Sequence, residues 1–390
     1  MEFLLYTITL SAIAALSYFL IKRERTSKKA VIFAMLIVLS VFLLFLELML
    51  GAIYRLENGY WISSLQRNSN SELFESDPYL GVKNKENIDT IFNHMRIRHN
   101  SLGYRGSELT NSHYKVVAMG GSTTYGVGVS NDETWTYLLD SLLSDEFQVI
   151  NMGTPGHTTV EHLVTMALHM DEIKPDVVLL HTGLNDMRVC NTSALKNDYA
   201  KFHAPTLYGA MGLCYLEKIP RVHSLYFLTK TLQKLGYFPV CPFHSMKSGS
   251  TGKNGLDNKA LEIYSRNLDK LIHICGYYTK NIIVIPQILV AEKINAGDLK
   301  WWIPYLKTNE LPQVLDVYNR KSREVALRNK VMFLDEMLNM TWTADEFYDA
   351  GHFNAAGNLK LARLIEAKLS IQHDTGRGLV IEDVALPSNF

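Results

Sequence analysis

Two long apolar runs at the start of the chain limit what it can fold into more than any other feature. Phe3 to Ile21 contains no charged residue, and Ala30 to Leu46 is a second such run that continues past Glu47 to Tyr54. Each is expected as a helix able to cross ~30 Å of hydrocarbon, which makes residues 1–54 a hairpin with spans at about 3–21 and 30–50. Lys22, Arg23, Arg25, Lys28 and Lys29 lie between the runs. A short basic loop of this kind stays cytoplasmic, so the rest of the chain is expected on the extracytoplasmic side, whether periplasmic, extracellular or lumenal. The rival reading of the first run is a cleaved signal peptide. Against it stand Glu2, the absence of a basic residue before the run, and the lack of a clear small-x-small cleavage site. If the first run only lies in the interface, the second still translocates the remainder of the chain. Glu47 is read as a residue near the outer headgroups, with a functional intramembrane carboxylate as the alternative.

At 390 residues the chain has room for one sizeable domain beyond this start. Its 39 basic and 39 acidic residues balance, also outside the apolar start, so no nucleic-acid footprint is present. All four cysteines, Cys190, Cys214, Cys241 and Cys275, fall in the part expected outside, where disulfides persist. One or two bridges are expected, with three full pairings open; zinc is the alternative, but no Cys-x-x-Cys spacing favours it. His157, His162, His169 and His181 occupy helical or strand positions without paired-carboxylate spacing and are read as packing or surface residues, not metal ligands.

From Lys115 onward short apolar runs alternate with helical patterns. Lys115–Met119, Phe147–Asn151, Asp176–His181, Asn281–Ile288 and Val331–Asp335 read as strands. Glu133–Ser144, Thr159–Ile173, Asn258–Tyr277, Leu311–Asn329 and Leu359–Leu369 read as helices. The alternation implies right-handed crossovers and a mostly parallel sheet with helices on both faces, a three-layer α/β/α fold with ligands at the carboxyl ends of its strands. This domain is expected over 115–372, preceded by a polar lead-in at 55–114 that packs on its edge and followed by a tail at 373–390. Insertions interrupt it at 187–257, an aromatic-rich lid or side wall, and at 291–309, which contains Trp301, Trp302 and Tyr305; Trp301 and Trp302 are read as filling a small core of their own, with stacking on sugar rings or contact with lipid headgroups as the alternatives. Asn191-Thr192-Ser193 and Asn339-Met340-Thr341 fit the glycosylation pattern, which matters only in a source that glycosylates secreted proteins.

Four stretches carry chemistry. Gly120-Gly121-Ser122-Thr123-Thr124-Tyr125-Gly126 follows the first strand and turns sharply into a helix, which would put the Ser122 hydroxyl at a cleft. A serine hydroxyl attacks only if an imidazole takes its proton, and Asp349-Ala350-Gly351-His352 supplies a base with a carboxylate to orient it. A developing oxyanion needs donors. Gly153-Thr154-Pro155-Gly156-His157 ends the second strand with two glycines, and Gly183-Leu184-Asn185-Asp186 ends the third with a side-chain amide. Singly, each has a plain reading: Ser122 as a turn residue, Asn185 as a helix cap, Asp349 and His352 as surface groups.

In this order, each after a strand, the four stretches resemble the SGNH hydrolase superfamily, also called GDSL-like lipases and esterases. The resemblance covers roughly residues 115–370 and implies a flavodoxin-like, five-stranded sheet. It implies Ser122 as nucleophile, Asp349 and His352 as its partners, and Gly156, Asn185 and the Ser122 N–H as the oxyanion hole, with Gly153 competing with Gly156. It implies no metal or organic cofactor. The motif that names the family has Asp where this chain has Gly121; branches with Gly-Gly-Ser resemble it too, so the departure weakens an analogy to lipases and not the expectation of activity.

The expected function is therefore a membrane-anchored extracytoplasmic serine esterase acting on a small acyl ester, with an O-acylated glycan as substrate by analogy and the bilayer as partner through residues 3–50. Transfer of the acyl group to a sugar, hydrolysis of a lipid ester, and a non-catalytic binding or assembly subunit of an envelope complex are the alternatives.

Overall fold

The computed structural model describes residues 2–23, 28–58, 61, 72–111, 114–189, 195, 197–199, 222–235, 258–294, 308–371 and 379–381. They fall into two compact units, Met1–Glu72 with Tyr208–Phe243, and Leu73–Leu207 with His244–Phe390. In the first unit, α1 (Glu2–Arg23) and α2 (Lys28–Asn58) pack as a hairpin. Both are long and apolar enough to cross a membrane, a test that a signal sequence also passes. Val31, Met35, Val38, Phe42 and Phe45 of α2 are exposed, the reverse of what a helix in water would bury.

The second unit opens with two antiparallel hairpins, β1 (Phe74–Asp77) with β2 (Gly81–Asn84), and β3 (Ile88–Phe92) with β4 (Met95–His99). Then come β5 (Tyr114–Gly120), the single turn α3 (Ser122–Tyr125), α4 (Trp135–Leu142), β6 (Phe147–Asn151), α5 (Thr159–Ile173) and β7 (Val177–His181). The next helix, α6 (His223–Lys234), belongs to the first unit. The second unit resumes with α7 (Asn258–Tyr278), β8 (Ile282–Val284), α8 (Leu311–Arg328), β9 (Met332–Phe333), α9 (Glu336–Asn339) and α10 (Ala355–Glu366). A closing hairpin pairs β10 (Leu369–Ile371) with β11 (Leu379–Ile381), so the expected tail folds back on the chain.

Five strands form one parallel sheet in the order β6-β5-β7-β8-β9. Alternate residues feed opposite faces. Val117, Met119, Val178 and Leu180 join side chains of α5, α7 and α8 in one core, while Val116, Ala118, Val177 and Leu179 join α4 and α10 in the other. Every residue of β7 is buried, as a strand covered on both faces requires. This is the expected three-layer fold. Because β6 lies on one side of β5 and β7 on the other, the chain reverses direction at β5, and a crevice opens at its carboxyl end.

Two strands are shorter than their apolar runs. Pro286 has no N–H to extend the ladder, so the run at 281–288 pairs only over Ile282–Val284, with one further bond from Ile285 N to Leu180 O. The run at 331–335 pairs only at Met332–Phe333. Cys275 takes no part in the expected bridges, which excludes the two-bridge pairings. It lies on the inward face of α7 among Leu271 and Ile272 as a free thiol, and burial pushes its ionisation up. Cys190, Cys214 and Cys241 lie outside the described residues, as do Trp301, Trp302, Tyr305 and Asn191.

Candidate active site

Ser122 begins α3 directly after β5 and is buried. Its Oγ lies 2.7 Å from His352 Nε2, and His352 Nδ1 lies 2.7 Å from Asp349 Oδ2. With the carboxylate accepting at Nδ1, the ring proton sits there, and Nε2 is left to accept from the serine hydroxyl. Burial pushes the Asp349 carboxyl up, but attraction to His352 and hydrogen bonds from its ring, from Gly351 N and from His352 N outweigh this and hold it at about 2. It is a carboxylate at any physiological pH.

The loop that carries this pair is closed at its base. Tyr348 N donates to His352 O, Asn354 N donates to Glu346 O, and Asn354 caps α10 by accepting from Ala356 N and Gly357 N. Phe347 and Phe353 face each other across the loop at 4.7 Å between ring centroids, with Trp342 against Phe353 at 4.9 Å. The Asp349 carboxylate also accepts from Gly351 N and His352 N at 2.9 Å, a local turn that fixes the His352 backbone.

Asn185 follows β7, and its Nδ2 donates to His157 O at 2.8 Å. That uses one N–H and leaves the second. The same nitrogen rests on Gly121, where a Cβ would collide with it. This explains the residue before Ser122: a glycine there lets the amide approach the serine. The two strand-end loops are further clamped where Thr159 Oγ1 donates to Asp186 at 2.6 Å and Asn267 Nδ2 donates to Thr159 Oγ1 at 3.0 Å. Burial pushes the Asp186 carboxyl up to about 7, with the Thr159 hydrogen bonds opposing and the Glu161 charge adding to the shift.

The two candidate glycines differ. Gly153 N donates to Asn151 Oδ1 at 2.9 Å and Gly153 O accepts from Asn84 Nδ2 at 3.0 Å. Gly156 has φ of 84°, and no acceptor among the described residues takes its N–H. Its amide is thus the one left for a ligand.

Three features of the site had no sequence signal. Gln287, just past β8, lines the cleft with Ser122, His181 and Asn185; it is buried, and its Oε1 has no hydrogen-bond partner among the described residues. Its backbone is pinned by Asn319, whose Oδ1 accepts from Gln287 N and whose Nδ2 donates to Gln287 O. His181, at the end of β7, is buried against Trp135, and burial pushes its imidazole down to about 3 with the Pro286 carbonyl opposing. The lead-in hairpins touch the site loops directly: His157 Nε2 donates to Val82 O, Tyr125 OH donates to His99 Nε2, and Arg105 donates to the carbonyls of Tyr125, Gly126 and Val129. A polar, irregular stretch of sequence does not announce such contacts. His162 is buried with Nδ1 near Thr182 Oγ1, and His169 is half-buried on α5. Among the described residues no group of three or more His, Cys, Asp or Glu is placed to hold a metal ion.

Several known proteins are similar to this chain. The model of the GDSL-like lipase/acylhydrolase family matches residues 118–360. Similar solved structures include LAE5, an alpha/beta hydrolase from the metagenome of Lake Arreo in Spain, with 18% identity over 66% of this chain and 94% of that one at a TM-score of 0.38. Axe2, an acetylxylan esterase from Geobacillus stearothermophilus, gives 16% identity over 65% and 93% at 0.36. A lipase/acylhydrolase from Enterococcus faecalis gives 17% over 65% and 94% at 0.38. With TM-scores this low, these likenesses add nothing to what the family match shows. No curated protein sequence matches the chain. The family match runs from within β5 to within α10, over more than half of the chain, and on it the chain is an ester-hydrolysing enzyme that belongs to the GDSL-like lipase/acylhydrolase family.

Proposed function

We propose that the protein is a membrane-anchored, extracytoplasmic serine esterase that removes a small acyl group from a hydroxylated, carbohydrate-like alcohol. The observation that carries this reading is the continuous hydrogen-bonded chain Asp349–His352–Ser122, with both His352 bonds at 2.7 Å. Ser122 Oγ attacks the ester carbonyl while His352 Nε2 takes its proton, and Asp349 holds the Nδ1–H and stabilises the imidazolium that forms. The tetrahedral oxyanion is held by the N–H groups of Ser122 and Gly156 and by the remaining Nδ2–H of Asn185. Collapse breaks the bond to the alcohol oxygen, which leaves with the proton from His352 and an acyl-Ser122 behind. Water then adds to the acyl carbonyl, losing a proton to His352, and the carboxylic acid departs as Ser122 regains its proton.

Two features support the substrate class. The cleft beside Ser122 is narrow and encloses no cavity of even water size, so it offers nothing to hold a long acyl chain. Its floor carries two buried amide oxygens without partners among the described residues, Asn185 Oδ1 and Gln287 Oε1, and an unpaired buried acceptor favours a substrate with hydroxyl donors over a lipid. Anchoring rests on α1 and α2 crossing a bilayer, and the side on the basic residues between them.

The experiment is hydrolysis of p-nitrophenyl acetate by the full chain in detergent, wild type against Ser122→Ala, followed by product analysis on an acetylated polysaccharide and on a phospholipid. Wild-type turnover with none in the variant is expected, with acetate released from the polysaccharide and no fatty acid from the phospholipid. Equal rates in the two proteins would remove Ser122 as the nucleophile.

A further inference from the structure

The carboxylate inside the second apolar helix is not left to the lipid. Glu47 of α2 is fully buried, and its Oε1 accepts from His223 N at 2.6 Å and from His223 Nδ1 at 2.8 Å while its Oε2 accepts from Ser224 N at 2.9 Å. These are the first backbone N–H groups of α6, which a helix cannot satisfy internally. A side chain 176 positions upstream therefore caps α6. The same stripe of α2 continues through Gly51 and Tyr54 at helical spacing. A Cβ at Gly51 would meet the Trp61 ring at 2.5 Å and the His223 ring at 3.1 Å, and Tyr54 packs edge-on against His223 and Tyr226 at 5.9 and 5.1 Å.

Depth along α2 says where this junction lies. From Lys28 to Glu47 the helix rises about 28 Å at ~1.5 Å per residue, close to the ~30 Å thickness of the hydrocarbon layer. The cap thus sits at the outer edge of the apolar layer. Tyr54, Trp61 and Tyr226 cluster beyond it, with the Arg55 guanidinium over the Trp61 ring at 5.5 Å, the residue types that anchor a chain at headgroup level. On α6 itself Leu228 and, just past its end, Leu235 are two turns apart on one face and stand 55% and 67% exposed.

We propose that α6 is an interfacial helix whose Leu228–Leu235 face enters the outer headgroup and acyl boundary of the bilayer, held at that level by Glu47. The occupant of this face is lipid because α6 packs on α2 at Glu47, the depth where the span leaves the apolar layer, and Tyr226 of α6 stands in the same aromatic cluster as Tyr54. The helix ties the insertion after the Asn185 loop to the membrane, a second attachment besides the N-terminal hairpin. The proposal rests on α1 and α2 crossing the bilayer.

The test places a photo-crosslinking benzophenone amino acid at one position at a time in the full chain, reconstituted in phosphatidylcholine and phosphatidylglycerol vesicles, and identifies adducts by mass spectrometry. Phe42 reports the span, Leu228 and Leu235 report α6, and Tyr277, exposed in the other unit, is the aqueous control. Lipid adducts at Leu228 and Leu235 in yields similar to those at Phe42, with none at Tyr277, are expected. Adducts at Phe42 but only protein adducts, or none, at Leu228 and Leu235 would overturn the interfacial helix and leave the span standing. An absence of lipid adducts at Phe42 would overturn the span and the proposal with it.

Discussion

The side-chain nitrogen of Asn185 occupies the space that a Cβ on residue 121 would need. The residue before Ser122 and the amide in the loop after β7 are therefore one feature of the site, although they follow different strands. The amide reaches the serine only because nothing projects from the backbone beside it.

Substituting either residue should produce the same defect. Asn185→Ala removes the proposed oxyanion donor and is expected to lower kcat by roughly 10² to 10³. Gly121→Ala pushes the intact amide away and should lower kcat by a similar factor while leaving KM nearly unchanged. The double variant should be no slower than the slower single one, because both remove the same interaction. Multiplying losses in the double variant, measured with p-nitrophenyl acetate, would separate the two residues and reject the shared geometry.

The parallel sheet and the loops that follow its strands were legible because each is written locally. A strand buried on both faces is a short apolar run, and the residues after it fall at the strand end whatever the rest of the chain does, as Val177–His181 followed by Asn185 shows. Pairing across 230 positions between Ser122 and His352 could be read only because the motifs recur in a known order. What stayed hidden depends on partners far apart and without pattern. Nothing around Glu47 says that it caps a helix at His223, whereas Cys275 continues the stripe of Tyr264, Leu268, Leu271 and Ile272 whose helical spacing faces inward. The hairpins at 74–99 were missed because their strands are four or five residues long and mix charged with apolar side chains.

Stability should rise with pH between about 4.5 and 6.5. Burial holds the His99 and His181 imidazoles down at about 4 and about 3, and the Asp186 carboxyl up at about 7. Unfolded, these groups titrate near ~6.5 for histidine and ~3.9 for aspartate. Within that window the unfolded chain binds two protons on the histidines and the folded chain one on Asp186, so the unfolded state holds one more. Stability then increases by about 1.4 kcal/mol per pH unit and levels off near neutrality. His181→Asn removes one of the two unfolded-state protons and should flatten the slope to near zero, read from melting temperatures at several pH values. A slope unchanged by that substitution would show that His181 takes up its proton in the folded protein.

Arg105 lies outside the residues matched by the family model, yet it organises the chain that leaves Ser122. Its backbone bridges β4 and β6, and its buried guanidinium donates to Tyr125 O at 2.8 Å, to Gly126 O and Val129 O at 2.6 Å, and to Asn131 Oδ1 at 3.1 Å, with the Tyr125 ring 4.5 Å from its centre. Arg105→Leu fills much of the space but leaves three carbonyls without donors, at about 1–3 kcal/mol each. Even the low end of that range, about 3 kcal/mol in all, lowers the melting temperature by roughly 6–12 °C at ~2–4 °C per kcal/mol in a domain of this size. Because the freed segment begins three residues after Ser122, kcat should also fall below the melting point, with KM less affected. Arg105→Lys keeps the charge but cannot serve three carbonyls from one ammonium, so it should fall between the two in both measurements. Wild-type kcat and melting temperature in Arg105→Leu would mean that the lead-in segment only covers the domain and does not shape its site.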